Sequence, residues 1–152
     1  MGAAHYPVRM AGPADAGTVA ALLCGFRDWW GYDEPSDAAM LAGVERLMED
    51  GAAEYLLGGD PPAGVAQLRY RFGVWLGAED CWLEDLYVRE DARGSGLGAA
   101  LVEAAVERAA TRGCRRIELD VAAGNAPARA LYERLGFESP GGETLLMRRR
   151  LR

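Results

Sequence analysis

Apolar residues recur at two periods along the chain, and the switches between them mark out the elements. Val19, Leu22, Leu23 and Phe26 share one helical face in a segment that Pro13 opens at a first-turn position and that runs toward Trp30. Met40, Leu41, Val44, Leu47 and Met48 repeat the pattern after Ser36 and Asp37, either of which suits an N-cap. Leu101, Val102, Ala105, Val106 and Ala109 form a third inward stripe ending near Arg112. A fourth helix is predicted over 126–135, closed by Gly136. Strands are predicted over 6–10, 53–57, 65–76, 81–88 and 116–121, the last alternating Ile117, Leu119 and Val121 with Glu118 and Asp120. Closing strands follow over 137–139 and 143–149 around a Pro140-Gly141-Gly142 turn. The linker over 77–80 is short enough to make the two longest strands an antiparallel hairpin. This order predicts an α+β domain with one central mixed, mostly antiparallel sheet.

Composition bounds the chemistry. With 152 residues, half hydrophobic and 26% charged, the chain reads as one globular domain over 1–152. No apolar run approaches the roughly 20 residues of a membrane-spanning helix. The start has no basic segment followed by an apolar core, so a cytoplasmic protein with no membrane partner is expected. Cys24, Cys81 and Cys114 stand at unrelated spacings, and His5 is the lone histidine. Zinc sites, and Cys-His or Ser-His-Asp catalysis, are therefore not expected, and no metal is assigned. Every basic residue is arginine, which removes Schiff-base chemistry through lysine. Carboxylates, tyrosines, hydroxyls and backbone amides remain.

Charge is unevenly divided. Residues 1–85 carry 5 arginines against 14 acids, a balance of −9, whereas residues 86–152 carry 12 against 9, a balance of +3. The split suits an anion bound by the second part and a cation drawn to the first. A net charge of −6 argues against nucleic acid as a partner.

The strongest chemical signal runs from Arg93 through Gly94, Ser95, Gly96, Leu97 and Gly98 to Ala99, between a strand and a helix. Alternating glycines let backbone N–H groups converge, and the helix N-terminus behind them favours an anion. A phosphate-bearing ligand follows from that arrangement. Gly94-x-Gly96-x-x-Ala99, with Asp120 at the next strand's end, also fits a relaxed dinucleotide fingerprint. Against it, five residues separate strand and first glycine, only one convincing βαβ unit is present, and the preceding strand sits in an antiparallel run. A Walker lysine is missing, which excludes a P-loop NTPase.

Arg93-x-x-Gly96-x-Gly98 resembles the Arg/Gln-x-x-Gly-x-Gly/Ala motif of the GNAT superfamily of N-acetyltransferases. Leu83-Glu84-Asp85-Leu86-Tyr87-Val88 is similar to that family's fourth strand, and residues 125–137 resemble its helix and the Gly-Phe that ends it. The resemblance implies an acyl-CoA N-acyltransferase fold, with about four helices on the sheet and splayed fourth and fifth strands. It implies acetyl-CoA held by Leu86, Tyr87, Val88, the loop from Arg93 to Ala99, Asn125 and Tyr132. Glu84 takes the role of base, directly or through water, with Asp85 or Asp120 able to substitute, and Tyr132 that of acid toward the leaving thiolate. A backbone N–H of Tyr87 or Val88 would steady the oxyanion, and with no well-placed nucleophile the transfer would be direct, in a ternary complex. A homodimer through the C-terminal strands is also implied.

Leu-Glu-Asp followed by an aromatic and valine resembles the diamine and polyamine (spermidine/spermine-like, thialysine-like) branch, so the expected acceptor is a small cationic amine. Trp29, Trp30 and Tyr32 beside Asp33 and Glu34 would face it, together with Glu84 and Asp85. The same aromatics also suit a core or an interface. Aminoglycosides and protein N-termini stay open as acceptors, as does a non-catalytic acyl-CoA- or nucleotide-binding module.

Overall fold

The computed structural model describes residues 6–141 and 146–151, in two compact units that meet between Asp120 and Val121. The first unit begins with β1 (Val8–Met10), a single 3-10 turn at Pro13–Asp15, and α1 (Ala16–Trp30). Then come α2 (Asp37–Met48), β2 (Ala53–Gly58), β3 (Gly64–Gly73) and β4 (Ala78–Val88), followed by α3 (Leu97–Arg112) and β5 (Ile117–Glu118). The second unit contains α4 (Ala126–Arg134). Gly31 in the left-handed region, φ 77°, stops α1, and Ser36 Oγ caps α2 by accepting the Ala39 N–H at 3.2 Å.

The sheet has the order β1-β2-β3-β4-β5, antiparallel except for the parallel β4–β5 pair. That is the mixed sheet the sequence predicts, with four corrections. The hairpin turn lies at 74–77 rather than 77–80, because Val74 and Trp75 are apolar yet stand in solvent, Trp75 completely. The alternation over 116–121 yields only a two-residue strand. Residues 137–139 are not a strand, and neither is the described part of 143–149; residues 143–145 lie outside the described residues. Val106 is 38% exposed rather than inward.

The two faces of the sheet bury different partners. Tyr55, Leu57, Val65 and Tyr87 pack with Val19, Leu22, Leu23 and Val44 of α1 and α2. On the opposite face, α3 lies so close that a Cβ on Gly58 would come within 2.8 Å of the Leu97 side chain, and one on Gly64 within 2.8 Å of Leu101. Glycine is required there for packing. Toward its C-terminus α3 is anchored by charge: Arg108 pairs with Glu54 at 2.7 Å, Arg112 with Glu79 at 3.1 Å, and Tyr70 donates to Glu54 at 2.8 Å. Burial pulls the Glu54 carboxyl upward, but Arg108 and Tyr70 more than offset it, and its pKa ends below the ordinary value. Among the described residues no helix is long and apolar enough to cross a membrane.

Candidate active site

The packing of Leu97 and Leu101 fixes where α3 begins, and so where the glycine loop lies. After a 3-10 turn at Glu90–Ala92, the chain reverses through Gly94 (φ 75°) and Gly96 (φ 92°), both in the region that favours glycine. Gly96 is the N-cap of α3, and the first helical bond runs from the Ala100 N–H to the Gly96 carbonyl at 3.0 Å. From Gly94 through Ala99, no backbone N–H has an acceptor among the described residues. These donors lie at the N-terminal end of α3, where the helix dipole is positive and an anion such as a diphosphate is favoured. The residues therefore fit the pyrophosphate of coenzyme A.

Beside the loop runs a free strand edge. β5 pairs only with Cys81 and Trp82, so Leu83–Val88 has no strand on that side among the described residues. The Arg89 N–H donates to Ala63 at 2.9 Å, and antiparallel alternation then turns the Tyr87 and Asp85 N–H groups toward β3. The backbones of Leu86 and Val88 face the open side. Arg93 closes the corner: its Nε donates to the Val88 carbonyl at 3.0 Å, and its guanidinium lies 5.4 Å from the Trp29 ring centre and 5.8 Å from that of Tyr87.

These contacts bring Trp29, part of the expected acceptor wall, beside Arg93 of the glycine loop. Phe26 stacks on Tyr87 at 5.2 Å, Trp29 meets Trp30 edge-on at 4.8 Å, and Trp30 stacks with Tyr32 at 6.4 Å. Gly25 makes room, since a Cβ there would lie 3.0 Å from the Tyr87 hydroxyl. Trp29 and Trp30 remain about half exposed, at 50% and 49%. Asp33 and Glu34 are exposed and form no ion pair among the described residues. Arg27 holds their loop by bonding the Pro35 carbonyl at 2.7 Å and Asp37 at 2.8 Å.

The acids lie one step along β4, at a bulge. Leu83 pairs with Leu68 and Asp85 with Gln67, which leaves Glu84 as an extra residue without a partner. Regular alternation would have put Glu84 on the face of Leu86. Instead Glu84 is exposed and its charge acts on both Asp85 and Tyr55, on the face toward α1 and α2. Burial, reinforced by Glu84 and Asp120, pushes the Asp85 carboxyl from an ordinary 3.8 to about 6. Burial first, and then Asp85, raise the Tyr55 hydroxyl to about 12.

In the second unit, Asn125 caps α4 with Oδ1 accepting the Ala128 N–H at 3.3 Å, and Pro127 occupies the first turn. Tyr132 is partly buried, its ring edge-on to Phe137 at 5.8 Å. Gly136 takes φ 90°, as a helix-ending glycine does.

Sequence reasoning missed Phe26, Tyr55, Gln67 and Arg69 as neighbours of the site. Gln67 and Arg69 carried a signal: polar residues two apart, on one side of a strand whose preceding residues are apolar.

Known proteins share this chain's sequence family and fold. The model of the Acetyltransferase (GNAT) family matches residues 19–137. A thialysine N-epsilon-acetyltransferase from Bos taurus is 29% identical over 146 residues, covering 86% of this chain and 83% of its own. A crystal structure of an acetyltransferase candidate from Arthrobacter sp. FB24 superposes with TM-score 0.85 at 34% identity, covering 99% of both chains. An aminoglycoside N-acetyltransferase solved with CoA shares the fold at TM-score 0.79 and 22% identity, over 97% of this chain and 96% of its own.

Proposed function

The chain belongs to the Acetyltransferase (GNAT) family, whose members use acetyl-CoA, and from that premise we propose that it acetylates a primary amine of a small cationic acceptor bound between α1 and β4. The run of unsatisfied N–H donors from Gly94 to Ala99, opening beside the free edge of β4, is the observation that carries this reading. Acetyl-CoA supplies the acyl group as an activated thioester. The loop holds the diphosphate through its main chain, and the backbones of Leu86 and Val88 receive the pantetheine arm. The Val88 N–H donates to the carbonyl oxygen as negative charge develops on it, because the Tyr87 N–H is turned into the sheet.

An alkylamine is mostly charged at neutral pH and must lose a proton before it attacks. Asp85 accepts that proton at its carboxylate, since a carboxyl at about 6 is both ionised at pH 7 and basic enough to compete for it. Glu84, exposed beside it, draws the cation in, and the faces of Trp29 and Trp30 flank it. Tyr132 gives the departing thiolate a proton from its hydroxyl, and Asn125 sets the start of the helix that carries it.

Calorimetry with CoA and a thiol-release assay with acetyl-CoA across amines test the reading. Gly96→Val forces a β-branched residue into φ 92° and brings a side chain among the donors. CoA affinity should fall at least about 10-fold. Wild-type affinity in this variant would remove the loop as the diphosphate site.

A further inference from the structure

Among the described residues, two opposite charges on the α1/α2 face of the sheet have no partner. β3 keeps a regular register with β2, so Val65, Gln67 and Arg69 project to the same side, and Val65 belongs to the core under α1 and α2. Tyr55, Gln67 and Asp85 form one row across β2, β3 and β4. Arg69 stands in the next row, between Ala53 and Trp82. Its Nε is buried with no hydrogen-bond partner, and among the described residues it forms no ion pair. The other arginines on β3 and α3 behave differently: Arg71, Arg108 and Arg112 each pair with an acid.

Leaving a buried donor unsatisfied costs about 1–3 kcal/mol, a cost that an aliphatic side chain at this position would avoid. Asp85 bears a matching cost as a desolvated acid with no cation beside it among the described residues. The two do not neutralise each other, although the Tyr55 hydroxyl feels both charges. A ligand carrying an ammonium at one end and a carboxylate at the other would satisfy both at once.

We infer that Arg69 is a specificity residue that binds the carboxylate of the acceptor, and that the acceptor is therefore an amino acid bearing a side-chain amine rather than a polyamine. The rows of Asp85 and Arg69 are two β3 residues apart, about 7 Å along the strand. An α-amine, adjacent to its own carboxylate, does not span that distance, whereas the side-chain amine of a lysine-like molecule does. Bidentate guanidinium–carboxylate geometry gives arginine its advantage here over a point charge. The inference rests on the acetyl-transfer reading for the reaction, but not for the recognition.

Binding is measured by calorimetry on the CoA-loaded protein, with L-lysine, L-ornithine and L-thialysine each compared with its decarboxylated counterpart. Turnover is followed in parallel by thiol release. The wild type should bind at least one of these amino acids about 10- to 100-fold more tightly than its counterpart. Arg69→Gln should abolish that preference while leaving the diamine's affinity unchanged, and Arg69→Lys should restore part of it. Thermal melts check that both variants fold. Should the decarboxylated amines bind as well as all three amino acids, or should no amino acid bind, the inference is overturned. It is overturned too if Arg69→Gln weakens both classes equally. Carboxylate-dependent binding without thiol release supports Arg69 as the carboxylate site and overturns amine acetylation as the reaction.

Discussion

Replacing Asp85 with asparagine should make the protein more stable and nearly inactive, and the two effects share one cause. The carboxyl faces Gln67 across the β3–β4 ladder, where burial, Glu84 and Asp120 all oppose its ionisation. Each tenfold change in proton affinity corresponds to about 1.4 kcal/mol, so a carboxyl raised from 3.8 to about 6 destabilises the folded state by at most about 3 kcal/mol once ionised. Partial exposure screens the charge, and about 1–2 kcal/mol is the expected gain in Asp85→Asn. The sign follows from proton linkage: between pH 4 and pH 6 the folded state binds more protons at Asp85 than the unfolded chain does, so this group's contribution falls as pH rises. The mutant's advantage is therefore absent near pH 4, grows through pH 6 and is complete at pH 7.5. Thermal melts should show a rise of about 2–4 °C per kcal/mol at pH 7.5 and none at pH 4. Over the same series, kcat/KM should fall about 100- to 10,000-fold, the usual contribution of a positioned base. An equal rise in Tm at both pH values would show that the carboxyl is not desolvated as described. Undiminished turnover would move the base elsewhere.

Glu84→Gln removes the second-largest influence holding the Asp85 pKa up, so the acid limb of the kcat/KM profile should move to lower pH with a modest rise in KM; complete inactivation would instead make Glu84 the base. Tyr132→Phe should lower kcat about 10- to 100-fold with acetyl-CoA affinity unchanged, and unaltered kcat would remove the tyrosine as acid. Gly64→Ala pushes a methyl against Leu101, with 2.8 Å available, and should cost about 1–3 kcal/mol in denaturant melts while weakening CoA through the displaced start of α3; a neutral result would show that α3 shifts without disturbing the loop.

Long elements and their caps were legible in the sequence, because they depend on local period and on capping residues. The stripes of α1 and α2, that of α3 apart from Val106, the Ser36 cap and the glycine loop lie where the pattern puts them. Features that depend on pairing were not. Alternation over 116–121 reports which side of the chain is buried, but not how far β4 accompanies it, and the two strands part after Trp82. The apolar Val74 and Trp75 extended the strand reading into a turn, although both side chains stand in solvent. The bulge had the largest consequence for the site. A two-residue period places Glu84 beside Leu86, and one unpaired residue transfers the desolvated carboxyl to Asp85. No spacing rule shows an extra residue, because each half of β4 alternates correctly by itself.

The two faces of the sheet treat their charges differently. Both faces carry arginine, acid and tyrosine in neighbouring strands. On the α3 face Glu54 is held by Arg108, Arg112 and Tyr70 together, and Arg112 also lies 3.8 Å over the Tyr70 ring. That network is satisfied within the protein, and its product is a fixed position for α3 and hence for the donors at its N-terminus. Removing Glu54 would leave Arg108 and the Tyr70 hydroxyl without their acceptor while Arg112 keeps Glu79, a loss of about 1–3 kcal/mol to the fold. On the opposite face Asp85 and Arg69 have the same chemistry available and do not use it on each other. A sheet able to neutralise its charges on one side and not on the other is ordered for packing on the first and for recognition on the second, with the free edge of β4 between them.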